Sequence, residues 1–310
     1  MRNDGFVEMA YRKGSETPWH HLGNAVPANG SSDLWQKLSG MDFVIKAASA
    51  QFTPDEDGDT ISVTDRKILY RSDNHEPLGV VSDRYQIVQP SEIHDFFRDV
   101  VQTIGLTMET AGTLFGGKKF WGLAKIGEDA LLDHDKIKGY LLLTTAIDGS
   151  MATTGKFTAT RVVCDNTLGM ALNGQATGAS IKVPHSTKFD AKAVQQALGI
   201  APKTFAEFKK TVELLARTPL SRRKAVGATR KIFDEGWLAA NVNRLFAGEA
   251  IGYDLKGFAG TTWGWLQCCT EVVDHGREKA SPSHQIAHIM YGRGDRLKRQ
   301  AFDLAMEMAR

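Results

Sequence analysis

His284 and His288 stand four residues apart, so on a helix they share one face, the spacing with which metalloproteases hold zinc. Gln285 occupies the place where that motif carries its general-base glutamate, and a hydrolytic zinc site on this pair is not expected. Glu271, Asp274 and His275 also share a helix face, at i, i+3 and i+4. They offer oxygen and nitrogen to a divalent ion or, more simply, cap and solvate a helix that ends before Gly276. A metal-dependent hydrolase or nuclease would have to be assembled from these five residues. Cys164 follows Val162-Val163 at an expected strand-to-helix junction, where a helix dipole lowers a thiol pKa; the plainer role is a core thiol. His20-His21 beside Trp19 reads as packing. Asp55-Glu-Asp-Gly-Asp59 lacks the ligand spacing of a calcium loop and reads as an acidic turn. No nucleophile elbow, Walker loop or dinucleotide-binding glycine fingerprint occurs, so no catalytic residue, metal ligand or cofactor is assigned.

The cations carry a stronger pattern. Residues 201–231 hold nine basic residues (Lys203, Lys209, Lys210, Arg217, Arg222, Arg223, Lys224, Arg230, Lys231) against Glu207 and Glu213, a local charge of +7. The bland reading is a solvated helical face; the functional one is a phosphate-binding surface. A second group interleaves with aromatics on expected strands: Lys118, Lys119, Phe120 and Trp121, then Lys156, Phe157 and Arg161. Alternation puts Lys119 and Trp121 on one sheet face and Lys118 and Phe120 on the other. Cations for phosphates beside an aromatic for a base are the means of sequence-tolerant single-strand binders, whereas the competing reading buries Trp121 and Phe157 and leaves the lysines in water.

The elements that must hold these groups follow from periodicity. Ser32 or Asp33 caps a helix beginning at Leu34-Trp35, and Phe43–Ala48 is a strand. Ile61–Val63, Lys67–Tyr70, Leu78–Val81 and Tyr85–Gln89 read as short extended pieces. Ser91 caps an amphipathic helix carrying Ile93, Phe96, Phe97, Val100, Val101 and Ile104. Leu106–Leu114, Lys118–Ile126, Lys138–Ile147 and Met151–Val163 form an antiparallel meander, with Gly116-Gly117 and Asp148-Gly149 as turns. Cys164–Leu172 is read as a helix packed after the strands, and residues 175–188 as a boundary loop. Helices are then expected at Asp190–Leu198, Phe205–Ala216, Ser221–Phe246 with Gly227 and Gly236 as breaks, Thr261–Val273, Ser283–Tyr291 and Arg296–Met308. The fold class is α+β: an antiparallel β-meander followed by a packed helix, with a mainly helical C-terminal part, divided as residues 1–180 and 181–310.

A chain of 310 residues with 42% apolar and 24% charged residues has ample material for a core and is not a disordered, collagenous or coiled-coil composition. The net charge of +2 conceals 17 Lys/Arg against 23 Asp/Glu in residues 1–180, and 21 against 13 in residues 181–310. Three cysteines, two of them the adjacent Cys268 and Cys269, make no disulfide framework and suit a reducing compartment. The apolar stretch Tyr140–Ile147 falls far short of the ~20 residues of a membrane helix, and the opening residues show no signal-peptide apolar run, so a cytoplasmic location is expected.

Several segments carry a family resemblance: Thr17-Pro-Trp-His-His-Leu-Gly23, Tyr85-Gln-Ile-Val-Gln89, Phe120-Trp-Gly-Leu-Ala-Lys125, Leu141–Thr145 with Asp148-Gly-Ser150, Arg161–Leu168, Thr262-Trp-Gly264, Thr270–His275 and the closing Gly292-x-Gly-x-x-Leu-Lys298. Together they resemble the phage/plasmid-like family DUF932, over nearly the whole chain. That family has no established activity; what the resemblance implies is a phage or prophage context. The order of strands and helices also resembles, at fold level, the single-strand annealing proteins of the phage Red-beta, RecT and Erf types and the eukaryotic Rad fifty-two type. That analogy implies a homo-oligomeric ring or filament holding single-stranded DNA in a basic groove. A phage exonuclease or a host single-strand-binding protein is the accompanying partner, and no membrane is involved. Lys118, Lys119, Lys156, Arg161, Lys209, Lys210, Arg222, Arg223, Lys224, Arg230 and Lys231 would meet the backbone, and Trp121 would stack or pack. The expected function is single-strand binding and annealing. The alternatives are the metal-dependent hydrolase or nuclease above and a non-enzymatic phage protein that engages the host.

Overall fold

The computed structural model describes residues 8–14, 23–54, 58–103, 105–132, 135–161, 166–169, 180–183, 201–276 and 281–310. Its centre is an antiparallel meander of β6 (Thr107–Leu114), β7 (Lys119–Leu132), β8 (Asp135–Ala146) and β9 (Thr153–Arg161). The second turn is made as expected: Gly149 takes φ +76°, and the Asp148 carboxylate accepts the Ser150 N–H at 2.9 Å. Further strands extend the sheet at both sides. β1 (Met9–Arg12) pairs with β6 and, in parallel, with β2 (Asn24–Val26). At the other side β10 (Asn166–Gly169) and β11 (Ser180–Val183) share the outer edge of β9, against Thr158–Arg161 and Thr153–Lys156 respectively.

β10 and β11 correct the sequence reading. Where described, the Cys164–Leu172 segment is a strand and not the expected packed helix, and part of the 175–188 loop is a strand too. The reason is non-local: the backbone of β9 needs partners along its outer edge, and two short segments supply them, overriding the local helix signal. The Asp190–Leu198 helix, Cys164 and the Trp19-His20-His21 segment lie outside the described residues.

Both faces of the meander are covered, which is why its strands read as nearly continuous apolar runs. Phe120, Ala124, Ile126, Leu141, Leu143 and Phe157 face one layer, built from α2 (Pro90–Thr103) and α3 (Ala201–Arg217). Glycine at two strand positions admits those helices closely: a Cβ on Gly122 would lie 3.1 Å from the Phe97 ring, and one on Gly139 2.7 Å from Phe205. Trp121, Leu123, Tyr140 and Leu142 point the other way, onto Ile286 and Met290 of α7 (Pro282–Tyr291).

A second sheet of β3 (Ile45–Phe52), β4 (Ile61–Arg71) and β5 (Pro77–Ser82) is tied to the β6–β7 turn by Arg71. That buried guanidinium donates to Glu8 and Asp73 and to the Gly116 carbonyl, and it lies 4.0 Å over the Phe43 ring. The two expected strands 61–63 and 67–70 are one strand, whereas Tyr85–Gln89 forms none; Lys67 instead clamps the carbonyls of Asp83 and Tyr85. Helix starts also shift slightly. Ser31 caps α1 (Ser32–Leu38), and α2 opens at Pro90, with Glu92 accepting the Gln89 N–H at 2.7 Å in place of a Ser91 cap.

The expected 221–246 helix is three pieces: α4 (Arg222–Ile232), α5 (Gly236–Arg244) and a single π turn at Leu245–Glu249. Gly227 does not break it; Gly236 opens α5. α6 (Thr262–His275) is buried on all sides through Asp274 and forms the centre of the helical part, with α8 (Arg293–Ala309) against it. Two ion pairs fix that packing: Lys298 to Asp274 at 2.6 Å, and Lys156 of β9 to Asp295. The molecule is α+β, with antiparallel sheets and a helical C-terminal region. Among the described residues no helix is long and apolar enough to cross a membrane.

Candidate nucleic-acid interface

α3 and α4 follow one another through four residues, Thr218–Ser221, held to the start of α6 by Leu220 N–H to the Gly260 carbonyl (2.8 Å) and Thr262 N–H to the Thr218 carbonyl (2.9 Å). On α3 the buried stripe is Phe205, Phe208, Val212 and Leu215, the 3.6-residue period that turns Lys209, Lys210 and Arg217 to solvent. α4 buries Ala225, Ala228, Thr229 and Ile232. The Thr229 hydroxyl donates to the Ala225 carbonyl and accepts from the Trp265 indole at 2.9 Å, so α4 is locked onto α6 in one rotation. Arg222, Arg223, Lys224, Arg230 and Lys231 are consequently all exposed.

Residues 209–231 thus present eight cations and one acid, Glu213, and none of the eight makes an ion pair with a described residue. Three of them sit where a helix tolerates cations least. Ser221 caps α4 by accepting the Lys224 N–H, and the first turn holds Arg222, Arg223 and Lys224 with no acidic residue. The macrodipole favours anions there, so the arrangement opposes folding slightly and suits a bound anion doubly, through backbone N–H groups and side-chain charge.

The sheet cations are placed differently. Lys118 and Lys119 are half-buried at the β6–β7 turn, and the Lys119 ammonium lies 5.7 Å from the Phe115 ring centroid and 5.2 Å from that of Tyr291, a cation–π seat under α7. Trp121 is 1% exposed, packed in the layer beneath α7, so the stacking role assigned to it is withdrawn; Phe157 is core as well. Lys156, 12% exposed, is withdrawn too: alternation points it into the α7 side, where it pairs with Asp295 and reaches the Met290 carbonyl. Burial pulls its pKa down, against the neighbouring Asp295 carboxylate, which raises it. Arg161 closes β9 opposite Ile137 and Asn166, and its side chain lies outside the described residues.

Nor does Lys119 share a face of the sheet with α3. Lys119 pairs with Ala146 at one end of the β7–β8 ladder, its ammonium on the face covered by α7, whereas α3 packs by Phe205 against Gly139, opposite Ile126 in the middle of the ladder and on the other face. Seven strand residues separate the two levels, about 23 Å of rise. The candidate interface is therefore drawn on the cationic surface of α3 and α4, with Lys119 across the sheet from Phe205.

The metal alternative loses its ligands to other partners. Asp274 is buried against Lys298, Glu271 accepts the Ile251 N–H at 3.2 Å, and His284 shares a 2.7 Å hydrogen bond with Ser281 while lying edge-on to Phe115. Among the described residues no three His, Cys, Asp or Glu side chains are gathered for a metal. Cys268 and Cys269 are fully buried, and burial pushes the Cys269 thiol well up, so neither is a ready nucleophile.

One residue escapes the sequence reading. Trp237, on the first turn of α5, is 46% exposed. Its signal was present: Leu238, Val242 and Leu245 form the buried stripe of that segment, and Trp237 stands one residue off it. The 221–246 segment was read for its breaks at Gly227 and Gly236 and not for the separate phase of the piece that follows Gly236.

No curated protein and no solved structure matches the chain. The model of one family does, over residues 77–301, from β5 into α8 and well over half of the sequence, and the chain accordingly belongs to the family described as Domain of unknown function (DUF932).

Proposed function

We propose that the protein binds single-stranded nucleic acid along the exposed faces of α3 and α4 and, as a homo-oligomer, promotes the annealing of complementary strands, in a phage or prophage setting. One observation carries the reading: eight exposed cations on two consecutive helices are left without ion pairs to described residues, three of them in a first turn where the helix dipole opposes them. A surface that only had to stay soluble would mix its signs, as an i,i+4 pattern of acids and bases does. Backbone neutralisation needs no nucleophile and no metal.

The test is fluorescence anisotropy with a labelled single-stranded oligonucleotide across a salt series. Affinity should fall steeply with salt, with a logarithmic slope of about −0.7 for each phosphate neutralised. Absence of binding at low salt, or binding indifferent to salt, contradicts the proposal. Strand annealing is read in the same samples with a donor- and a quencher-labelled complementary pair, and the oligomer by light scattering with and without oligonucleotide.

A further inference from the structure

With Trp121 in the core, the cationic surface has no aromatic partner among the residues first assigned to it, yet an exposed indole follows it closely in the chain. Of the described tryptophans, Trp35, Trp121, Trp263 and Trp265 are buried and Trp237 alone is exposed. It lies six residues beyond Lys231, across the short corner that joins the last turn of α4, with Arg230 and Lys231, to the first turn of α5. Its ring is held in place. The indole N–H donates to the Glu235 carboxylate at 2.9 Å, Glu235 is in turn paired with Arg293, and one ring edge rests at the C-terminal end of α6, where a Cβ on Gly276 would lie 3.7 Å away. The carboxylate nearest the ring is thus matched by a guanidinium. An exposed indole with a fixed orientation loses little freedom when a flat partner settles on it.

We infer that Trp237 is the base-stacking platform of the α3–α4 surface, so that the ligand is an unpaired strand with accessible base faces and not simply a polyanion. This rests on the nucleic-acid reading above. Phosphates on Arg230 and Lys231 would carry the strand past the corner, and the neighbouring base would lie on the indole, as in single-strand binders that pair a cationic groove with aromatic faces.

The experiment compares the full-length protein with Trp237→Ala and Trp237→Phe, using labelled oligodeoxythymidine and a labelled abasic strand of equal length. The expected result is that Trp237→Ala weakens oligodeoxythymidine binding by about 5- to 150-fold and leaves abasic binding within about twofold, while Trp237→Phe keeps most of the affinity. A melting midpoint within about 3 °C of the parent shows that the partly exposed site was not needed for folding. Unchanged oligodeoxythymidine binding by Trp237→Ala, or an equal loss on the abasic strand, overturns the stacking role and leaves the cationic surface standing. A parent protein that binds neither strand overturns both.

Discussion

Trp121 and Lys156 bear the same residue types as a nucleic-acid site and yet belong to the interior, and their removal should be felt in stability. Trp121 fills the layer between the meander and α7, so Trp121→Ala should cost about 3–5 kcal/mol in urea unfolding, while the protein that remains folded binds oligonucleotide as the parent does. An affinity loss in that folded fraction would return Trp121 to the binding surface. Arg71 allows a sharper statement about pH. Its hydrogen bonds hold the Asp73 carboxyl below its ordinary value, so over the acid range the unfolded chain binds more protons at this site than the native state does. The resulting stabilisation is complete above the ordinary carboxylate pKa, near 4, and is lost as pH falls through the lowered native value. Asp73→Asn should therefore be less stable than the parent at pH 7, with the gap closing below about pH 4 in urea titrations at each pH. A gap that stays constant to pH 2 would mean the pair contributes nothing through its charge.

At the level of elements, the N-terminus of α4 sets stability against function. Arg222, Arg223 and Lys224 occupy the turn where the dipole disfavours them, so replacing all three by glutamine should raise the melting midpoint, by something on the order of a few degrees, while oligonucleotide affinity falls. A fall in both would show that the three side chains hold structure. What the sequence let one read also divides along elements. The outer faces of α3 and α4 were legible because Phe205, Phe208, Val212 and Leu215, then Ala225, Ala228 and Ile232, keep a helical period on their own. The meander was legible from its turns. β10 and β11 were not, because four residues of Asn-Thr-Leu-Gly or Ser-Ile-Lys-Val become strand only when β9 offers an edge. Lys156 and Trp121 were misplaced for a related reason: alternation along β7 and β9 names two faces, but nothing local says that α7 covers the second.

Over the whole molecule, the excess of positive charge in residues 181–310 matters only through where it lies. α3, which carries three of the eight cations, packs by Phe205 at the Gly139 level of the sheet, and Lys119 lies seven residues away along β7, about 23 Å, at the β6–β7 turn and on the other face. Lys119 is moreover already engaged by two rings. If the surface on α3 and α4 is the whole interface, its eight charges limit the salt slope for a single strand to about −6, and neutralising two of them lowers its magnitude by about 1.4. Lys209→Ala/Lys210→Ala should therefore show that reduced slope in a plot of log affinity against log salt. Lys118→Ala/Lys119→Ala should keep the parent slope and an affinity within about twofold. Equal reductions from the two pairs would mean that a bound strand runs from α3 and α4 to the β6–β7 turn, and that the interface is continuous across the molecule after all.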